Sequence, residues 1–209
     1  MARPVCYAIP VLLCRPNRFI SPGHVVTLVA MQAHPLGDRE QAMTREVSAQ
    51  VVIDMPREQA WARLRDISLA HNYVPGIVRT EIVSARTEGV GASRYVWRNA
   101  RSYLQETVVE WREGEGFLIR LHKGDKPAPP FRNASFRYQL ADQGPDQTLF
   151  TASLQFEMPW GALGNWLEKQ MAKPVAATVA DVATAMKLYY ETGEPTTAAA
   201  LKAYKAAHR

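Results

Sequence analysis

The chain has 209 residues, with 25 lysines and arginines against 20 aspartates and glutamates, and a formal net charge of +5. Its 47% hydrophobic and 22% charged residues are typical of a globular protein, which excludes wholly disordered, collagenous and coiled-coil chains. No apolar run approaches the ~20 residues that span a bilayer, so we expect no stable membrane insertion.

The types and spacing of the reactive residues exclude several kinds of site. Cys6 and Cys14 both lie near the N-terminus, so neither a disulfide framework nor a cysteine zinc site is expected. The histidines lack the helical spacing of metal ligands, and no nucleophile elbow, phosphate-binding loop or dinucleotide fingerprint occurs. We therefore predict no metal and no cofactor. Many basic residues have an acidic neighbour, which favours a mixed-charge surface over a nucleic-acid partner.

The N-terminal 45 residues differ from the rest. Residues 5–14 are apolar apart from a break at Pro10 and follow a basic residue, as in a signal peptide. The break and the lack of a clean cleavage site favour instead an extension, residues 1–45, that is disordered or not part of the fold. Translation could also begin at Met43. We therefore expect a cytoplasmic protein, with export as the alternative.

A regular pattern of elements follows this extension. β-Branched residues at 47–53 predict a strand. Asp54 fits a helix N-cap and Pro56 the first helical turn, so a short helix should come next. A second short helix or a turn is expected before Pro75 and Gly76.

Six further strands are predicted between turn signals. They cover residues 77–85, 92–98, 103–112, 116–123, 133–141 and 147–158. In the last of them apolar and polar residues alternate from residue 150 to residue 158, so one face should be buried and the other exposed to solvent. Short connections between successive strands favour antiparallel pairing.

The hydrophobic period then changes to that of a helix. Apolar residues recur every three or four positions over residues 161–192, which predicts an amphipathic helix about 48 Å long with a kink at Pro174. The lysines expected on its polar face are Lys169, Lys173 and Lys187. The tail, residues 194–209, could form one more short, peripheral helix.

This order of elements predicts an α+β protein. A curved antiparallel sheet of six or seven strands can bury its apolar face only by wrapping around the long C-terminal helix, which is a helix-grip arrangement. The predicted domain covers residues 46–193. Such a fold leaves a cavity between sheet and helix, which favours an apolar small molecule as ligand.

Several motifs resemble the START/SRPBCC superfamily of polyketide cyclase/dehydrase and lipid-transport proteins. VVIDMPREQAW at residues 51–61, LRD at 64–66 and YVPG at 73–76 are similar to its opening, and Gly89-Val-Gly91, Arg94 and Glu106 match its Gly-x-Gly-x-x-Arg…Glu pattern. The resemblance covers residues 46–192. It implies a helix-grip fold with a hydrophobic ligand cavity, but it specifies no reaction, because binding, transport and catalysis all occur on this fold.

Positions that alternate along the strands, and one face of the long helix, are predicted to line the cavity and bind the ligand. These residues are Tyr73, Val96, Val108, Phe136, Tyr138, Leu154, Phe156, Leu167, Met171 and Val175. The alternative is that they interdigitate as a filled core, because pocket walls and core have the same sequence pattern.

Arg94 and Glu106 are the candidate catalytic residues. If the superfamily pattern holds, both side chains face inward, where an isolated charge is costly and a partner or ligand is needed. Glu106 could then accept a proton or orient a water, and Arg94 could hold a carbonyl, enolate or carboxylate. In the alternative, Tyr95 and Trp97 point inward, and the two charges form an exposed ion pair.

Two histidines are weaker candidates for the functional site. His71 lies near the expected mouth of the fold, either as an acid–base group or as an ordinary loop residue. His122 shares a strand face with Leu118 and Arg120 and is expected to be exposed.

Two functions follow. The first is binding, with or without transport, of a hydrophobic molecule such as a lipid, quinone or polyketide-like aromatic. The second is a cofactor-independent polyketide cyclase/dehydratase that uses Glu106, Arg94 and either Tyr138 or His71. The sequence predicts neither the ligand nor the oligomeric state.

Overall fold

The computed structural model describes residues 27–34, 44–159 and 161–208, and it leaves the side chains of 27–34, 44 and 161–169 undescribed. The strands are β1 Thr27–His34, β2 Thr44–Ile53, β3 Arg79–Ile82, β4 Ser93–Asn99, β5 Ser102–Arg112, β6 Gly116–Lys123, β7 Lys126–Pro127, β8 Asn133–Gly144 and β9 Gln147–Glu157. The helices are α1 Arg57–Leu64, a 3-10 helix Ile67–Asn72, α2 Gly161–Thr192 and α3 Ala198–Ala207.

The strands form one curved sheet that does not close. Its order is β1-β2-β9-β8-β6-β5-β4-β3, with the two-residue β7 paired to β6. Every pairing is antiparallel. Hairpins and short connections account for this between successive strands, whereas β2 and β9 pair although most of the domain separates them in the chain. Without β1 and β7 the sheet has the seven strands that the sequence predicts.

Helix α2 lies across the concave face and contacts the sheet mainly through β2 and β9. Alternate residues of the strands point toward it, so Val47, Ala49, Val51 and Ile53 of β2 are all buried. The facing side of α2 contributes residues at helical spacing, namely Val175, Val179, Val182, Met186 and Tyr190. This is the predicted helix-grip fold. None of the described helices combines the length and the apolar character needed to cross a membrane.

The N-terminal region contributes a strand that the sequence does not predict. Residues 27–34 form β1 and pair antiparallel with β2 from Thr27↔Gln50 to His34↔Thr44. The expectation that the whole of residues 1–45 stands apart from the fold is therefore wrong for this stretch. The remainder, residues 1–26 and 35–43, lies outside the described residues, as do Cys6 and Cys14.

The polar face of α2 is also narrower than predicted. Lys173 is exposed, but Lys187 is 9% exposed. Its ammonium donates to the carbonyl oxygen of Val52 at 2.7 Å and to Oε1 of Glu191 at 2.5 Å. A long aliphatic stem lets the charge reach the rim of the sheet while its methylenes lie on apolar surface. The side chain of Lys169 lies outside the described part.

His122 is buried rather than exposed, at 7%. Its Nδ1 lies 2.7 Å from the carbonyl oxygen of Gly124, and its Nε2 lies 2.8 Å from Oγ1 of Thr107. Because a carbonyl can only accept, Nδ1 carries the hydrogen. The turn at Gly124 folds back over the strand, which a strand-face pattern cannot reveal.

Candidate functional site

Arg94 and Glu106 form a buried ion pair on the concave face of the sheet. The two residues lie directly opposite each other on β4 and β5. Nε of Arg94 donates to Oε2 of Glu106 at 2.6 Å, and Nη2 lies equally close to that oxygen. The side chains are 1% and 11% exposed. The inward-facing alternative is therefore the one that this fold adopts.

A backbone carbonyl holds the other end of the guanidinium. Nη1 of Arg94 donates to the carbonyl oxygen of Ile67 in the 3-10 helix. Asp66 caps that helix by accepting from the backbone N–H of Ser68, so the carbonyl is presented at a fixed place. Arg94 is thus held from two sides, which fixes the direction of its remaining N–H groups.

Three buried tyrosines cluster next to this ion pair. Tyr73 follows the 3-10 helix, Tyr138 lies on β8, and Tyr190 lies on α2; all three are at most 3% exposed. Tyr73 and Tyr138 lie close enough to Arg94 to interact with its charge. The ring centroid of Tyr73 is 6.3 Å from that of Tyr138 and 6.3 Å from that of Tyr190, so Tyr190 joins the cluster through Tyr73.

Two of the phenol oxygens lack hydrogen-bond partners within the described part of the chain. They are the hydroxyls of Tyr73 and Tyr190. By contrast, the hydroxyl of the neighbouring Tyr189 accepts from Nδ2 of Asn72 at 3.2 Å. Buried hydroxyls are normally satisfied, so these two donors stand out.

The environment keeps these tyrosines neutral. Burial raises the pKa of the Tyr73 hydroxyl, and the positive charge of Arg94 offsets part of this. Burial also raises the pKa values of Tyr138 and Tyr190 well above the ordinary value of about 10. For Arg94, burial lowers the pKa, but the carboxylate of Glu106 together with the neighbouring Tyr73 and Tyr138 outweighs burial, and the pKa is raised. The site therefore holds one ion pair and three neutral hydroxyls.

Most of the predicted ligand-binding residues lie together in the core facing α2. Those at most 9% exposed are Tyr73, Val96, Val108, Phe136, Tyr138, Leu154, Phe156 and Val175, and Met171 is half-buried against them. The side chain of Leu167 lies outside the described residues. Contact of these residues with a ligand stays a prediction. His71 is exposed, with Nδ1 3.3 Å from Oγ1 of Thr80, so it is not part of this group.

Two members of the site were not found from the sequence. Tyr190 continues the four-residue spacing of Val182 and Met186 on the buried face of α2, so helical periodicity could have identified it. The contribution of the Ile67 carbonyl cannot be recognised from the sequence, because every residue has a backbone carbonyl.

A model of the family described as polyketide cyclase / dehydrase and lipid transport matches residues 44–191. The chain belongs to this family. The resemblance to the START/SRPBCC superfamily is thereby confirmed, and the match includes the ion pair and the three tyrosines. No curated protein matches the chain.

Solved structures agree with this family fold. A START superfamily protein from Mycobacterium smegmatis is 19% identical, with a TM-score of 0.52 over 70% of this chain and 97% of that one. The Zhui aromatase/cyclase from Streptomyces is 15% identical, with a TM-score of 0.52 over 73% and 99%. The protein XoxI from Bacillus cereus is 14% identical, with a TM-score of 0.56 over 69% and 94%. At these identities the likeness shows the fold.

Proposed function

We propose that this member of the polyketide cyclase/dehydrase family binds a neutral hydrophobic molecule whose oxygen atom accepts hydrogen bonds inside the concave face. The observation that carries the proposal is the pair of unpartnered buried hydroxyls, Tyr73 beside the ion pair of Arg94 and Glu106, and Tyr190 beside Tyr73. Apolar side chains surround this polar group, which is the usual composition of a small-molecule site.

The energetics of the two hydroxyls favour a ligand oxygen. A buried hydroxyl left without a partner costs roughly 1–3 kcal/mol, a penalty that a hydrogen-bond acceptor removes. Tyr73 and Tyr190 are adjacent in space, so one carbonyl oxygen with two lone pairs could accept from both. The apolar body of the ligand would then lie against residues such as Phe136 and Val175.

The charge balance of the site favours a neutral ligand over an acid. Glu106 already compensates the charge of Arg94, and the surrounding tyrosines are neutral. A carboxylate would therefore bring an uncompensated charge into a buried place, which is costly. Quinones, polyketide-like aromatic ketones and neutral lipids fit this balance better than ionised fatty acids.

A second candidate function is the cyclase/dehydratase reaction, and the position of Glu106 favours it. Arg94 contacts Oε2 of the carboxylate, so Oε1 is the oxygen that would remove a proton from the carbon beside a bound carbonyl. The tyrosine hydroxyls would stabilise the enolate oxygen. The family description and the aromatase/cyclase among the similar structures support this candidate.

Binding of matched probes tests the proposal. We expect a naphthoquinone to bind more tightly than naphthalene, which lacks the acceptor, and than naphthoate, which carries the charge. Tyr73→Phe should weaken quinone binding about tenfold without lowering the melting temperature, because the removed hydroxyl has no partner in the fold. Isothermal calorimetry and thermal unfolding measure the two quantities.

Tyr189→Phe is the matched control, since its hydroxyl is already bonded to Asn72. This variant should keep the affinity of the wild type. Naphthoate binding as tightly as the quinone, or Tyr73→Phe binding like the wild type, would contradict the proposal. Catalysis is separated from binding by hydrogen–deuterium exchange beside the carbonyl of a bound ketone, which Glu106→Gln should slow if Glu106 is the base.

A further inference from the structure

Three aromatic side chains cluster on the outer face of the sheet. Tyr95 and Trp97 point outward because they alternate along β4 with buried residues. Tyr103 of β5 lies directly opposite Trp97. The ring centroid of Tyr103 is 4.5 Å from that of Tyr95 and 4.8 Å from that of Trp97. All three side chains are partly exposed, on the side of the sheet opposite α2.

Two cations cover this cluster from either side. The guanidinium of Arg79, on the edge strand β3, lies 4.5 Å from the ring centroid of Trp97. The ammonium of Lys123, at the end of β6, lies 5.5 Å from that of Tyr103. We call these four residues, together with Tyr95, the aromatic–basic patch.

The neighbouring turns extend its positive charge. The pairing of Gln105 with His122 places the turn after β6 beside the β4–β5 turn. The exposed basic residues beside the patch in these connections are Arg101 and Lys126. The acidic residues beside the patch are Glu81, which lies 3.4 Å from Arg79, and Asp125. With Arg79 and Lys123, basic residues therefore outnumber acidic ones by four to two.

We propose that the aromatic–basic patch docks the protein on an anionic membrane surface. Tryptophan and tyrosine rings settle at the level of the lipid headgroups, where an apolar ring meets a polar edge. Lysine and arginine near the surface are attracted to anionic headgroups. The patch presents both residue types on one partly exposed face, and its net positive charge complements that surface.

The geometry of the rings favours a membrane over single-stranded nucleic acid. Bases bind such proteins by stacking on free aromatic faces. Here Arg79 covers a face of Trp97, and Tyr103 lies between Tyr95 and Lys123. The rings therefore pack against each other and against the two cations. Docking at an interface needs no free ring face.

The patch and the candidate site share two strands. Residues of β4 and β5 that point inward form the ion pair, and those that point outward form the patch. Docking would bring the ligand site close to a bilayer, the largest store of apolar molecules in a cell. The membrane inference does not depend on the ligand, because the aromatic–basic patch stands on its own contacts.

Vesicle flotation of the full chain tests this inference. We expect binding to vesicles in which about a third of the lipid is phosphatidylglycerol, little binding to phosphatidylcholine alone, and weakening by salt. The double variant Arg79→Gln/Lys123→Gln should bind the anionic vesicles about tenfold more weakly. Circular dichroism checks that the variant is folded.

The matched control is Lys173→Gln/Lys202→Gln, which removes the same charge from exposed positions on α2 and α3. It should bind like the wild type. Equal weakening in both double variants would mean that net charge alone acts, and would overturn the proposal. So would equal binding to both kinds of vesicle, patch-dependent binding to a single-stranded oligonucleotide instead, or patch-dependent self-association in sedimentation.

Discussion

The guanidinium of Arg94 and the carboxylate of Glu106 meet at 2.6 Å on the concave face, and this single contact links folding to the proposed function. A buried charge is tolerable because its partner lies directly across the strand pair. Each charge therefore needs the other in order to stay buried, even in the ligand-free protein. The pair should make a measurable contribution to stability even in the empty protein.

Glu106→Gln is expected to lower the free energy of unfolding by about 3 kcal/mol, because it leaves the buried cation of Arg94 without a countercharge. Urea denaturation measures the change. Glu110→Gln, on the same strand, is the control: its carboxylate pairs with Arg137 at 2.9 Å on the surface, so the loss should stay below about 1 kcal/mol. Equal effects of the two substitutions would contradict burial of the pair.

Sequence reasoning finds some residues of the site but not their contacts. The resemblance to the superfamily pattern from Gly89 to Glu106 implies that two charges face inward, while the strand's own alternation leaves both orientations open; in the structure both charges face inward. Nothing in that spacing predicts that the carbonyl of Ile67 completes the arginine's hydrogen bonding. The unpartnered state of the Tyr73 hydroxyl is likewise invisible in sequence, because it depends on what surrounds the oxygen in three dimensions.

At the scale of elements, local patterns determine most of the fold. The bounds of α2, Gly161–Thr192, and of β6, Gly116–Lys123, are those predicted from period and breakers. The strand predicted at 77–85 is reduced to Arg79–Ile82. This element is an edge strand with β4 as its one neighbour in the sheet, so tertiary pairing rather than local propensity sets its length.

Lys187 departs from the exposed polar face predicted for α2, and its burial has a testable consequence. Lys187→Met should lower the free energy of unfolding by about 1–3 kcal/mol, because the carbonyl of Val52 and the carboxylate of Glu191 both lose a buried donor. Lys173→Met, at an exposed position of the same helix, should change it by no more than about 0.5 kcal/mol. Chemical denaturation compares the two. A smaller loss for Lys187 than for Lys173 would rule out the buried contact.

At the scale of the whole molecule, β1 raises the question of what the N-terminal region contributes. β2 pairs with β1 on one side and with β9, over nine residues, on the other. β1 therefore covers an edge of the sheet. The family match begins at residue 44, so we expect the domain to fold without β1.

A chain beginning at Met43 should therefore still unfold cooperatively, at nearly the melting temperature of the full chain. It should aggregate more readily, because β2 becomes an uncovered edge with unpaired backbone groups. Thermal unfolding followed by circular dichroism, with light scattering for aggregation, measures both. Loss of cooperative unfolding in this truncated chain would show that the N-terminal region is part of the core.

The sequence by itself determined the architecture, because the periods of strands and helices, the turns and the apolar faces are local properties of the chain. An alternating strand at 147–158, with its clean period of two over 150–158, and a helical period over 161–192 admit few arrangements other than a sheet around a helix. The tertiary structure alone decided which polar atoms are paired. Tyr73, Arg94, Tyr138 and Tyr190 lie far apart in the chain, so their convergence depends on how the sheet curves and where α2 crosses it. Whether a buried polar group has a hydrogen-bond partner depends on that packing, and no single segment of the chain specifies it.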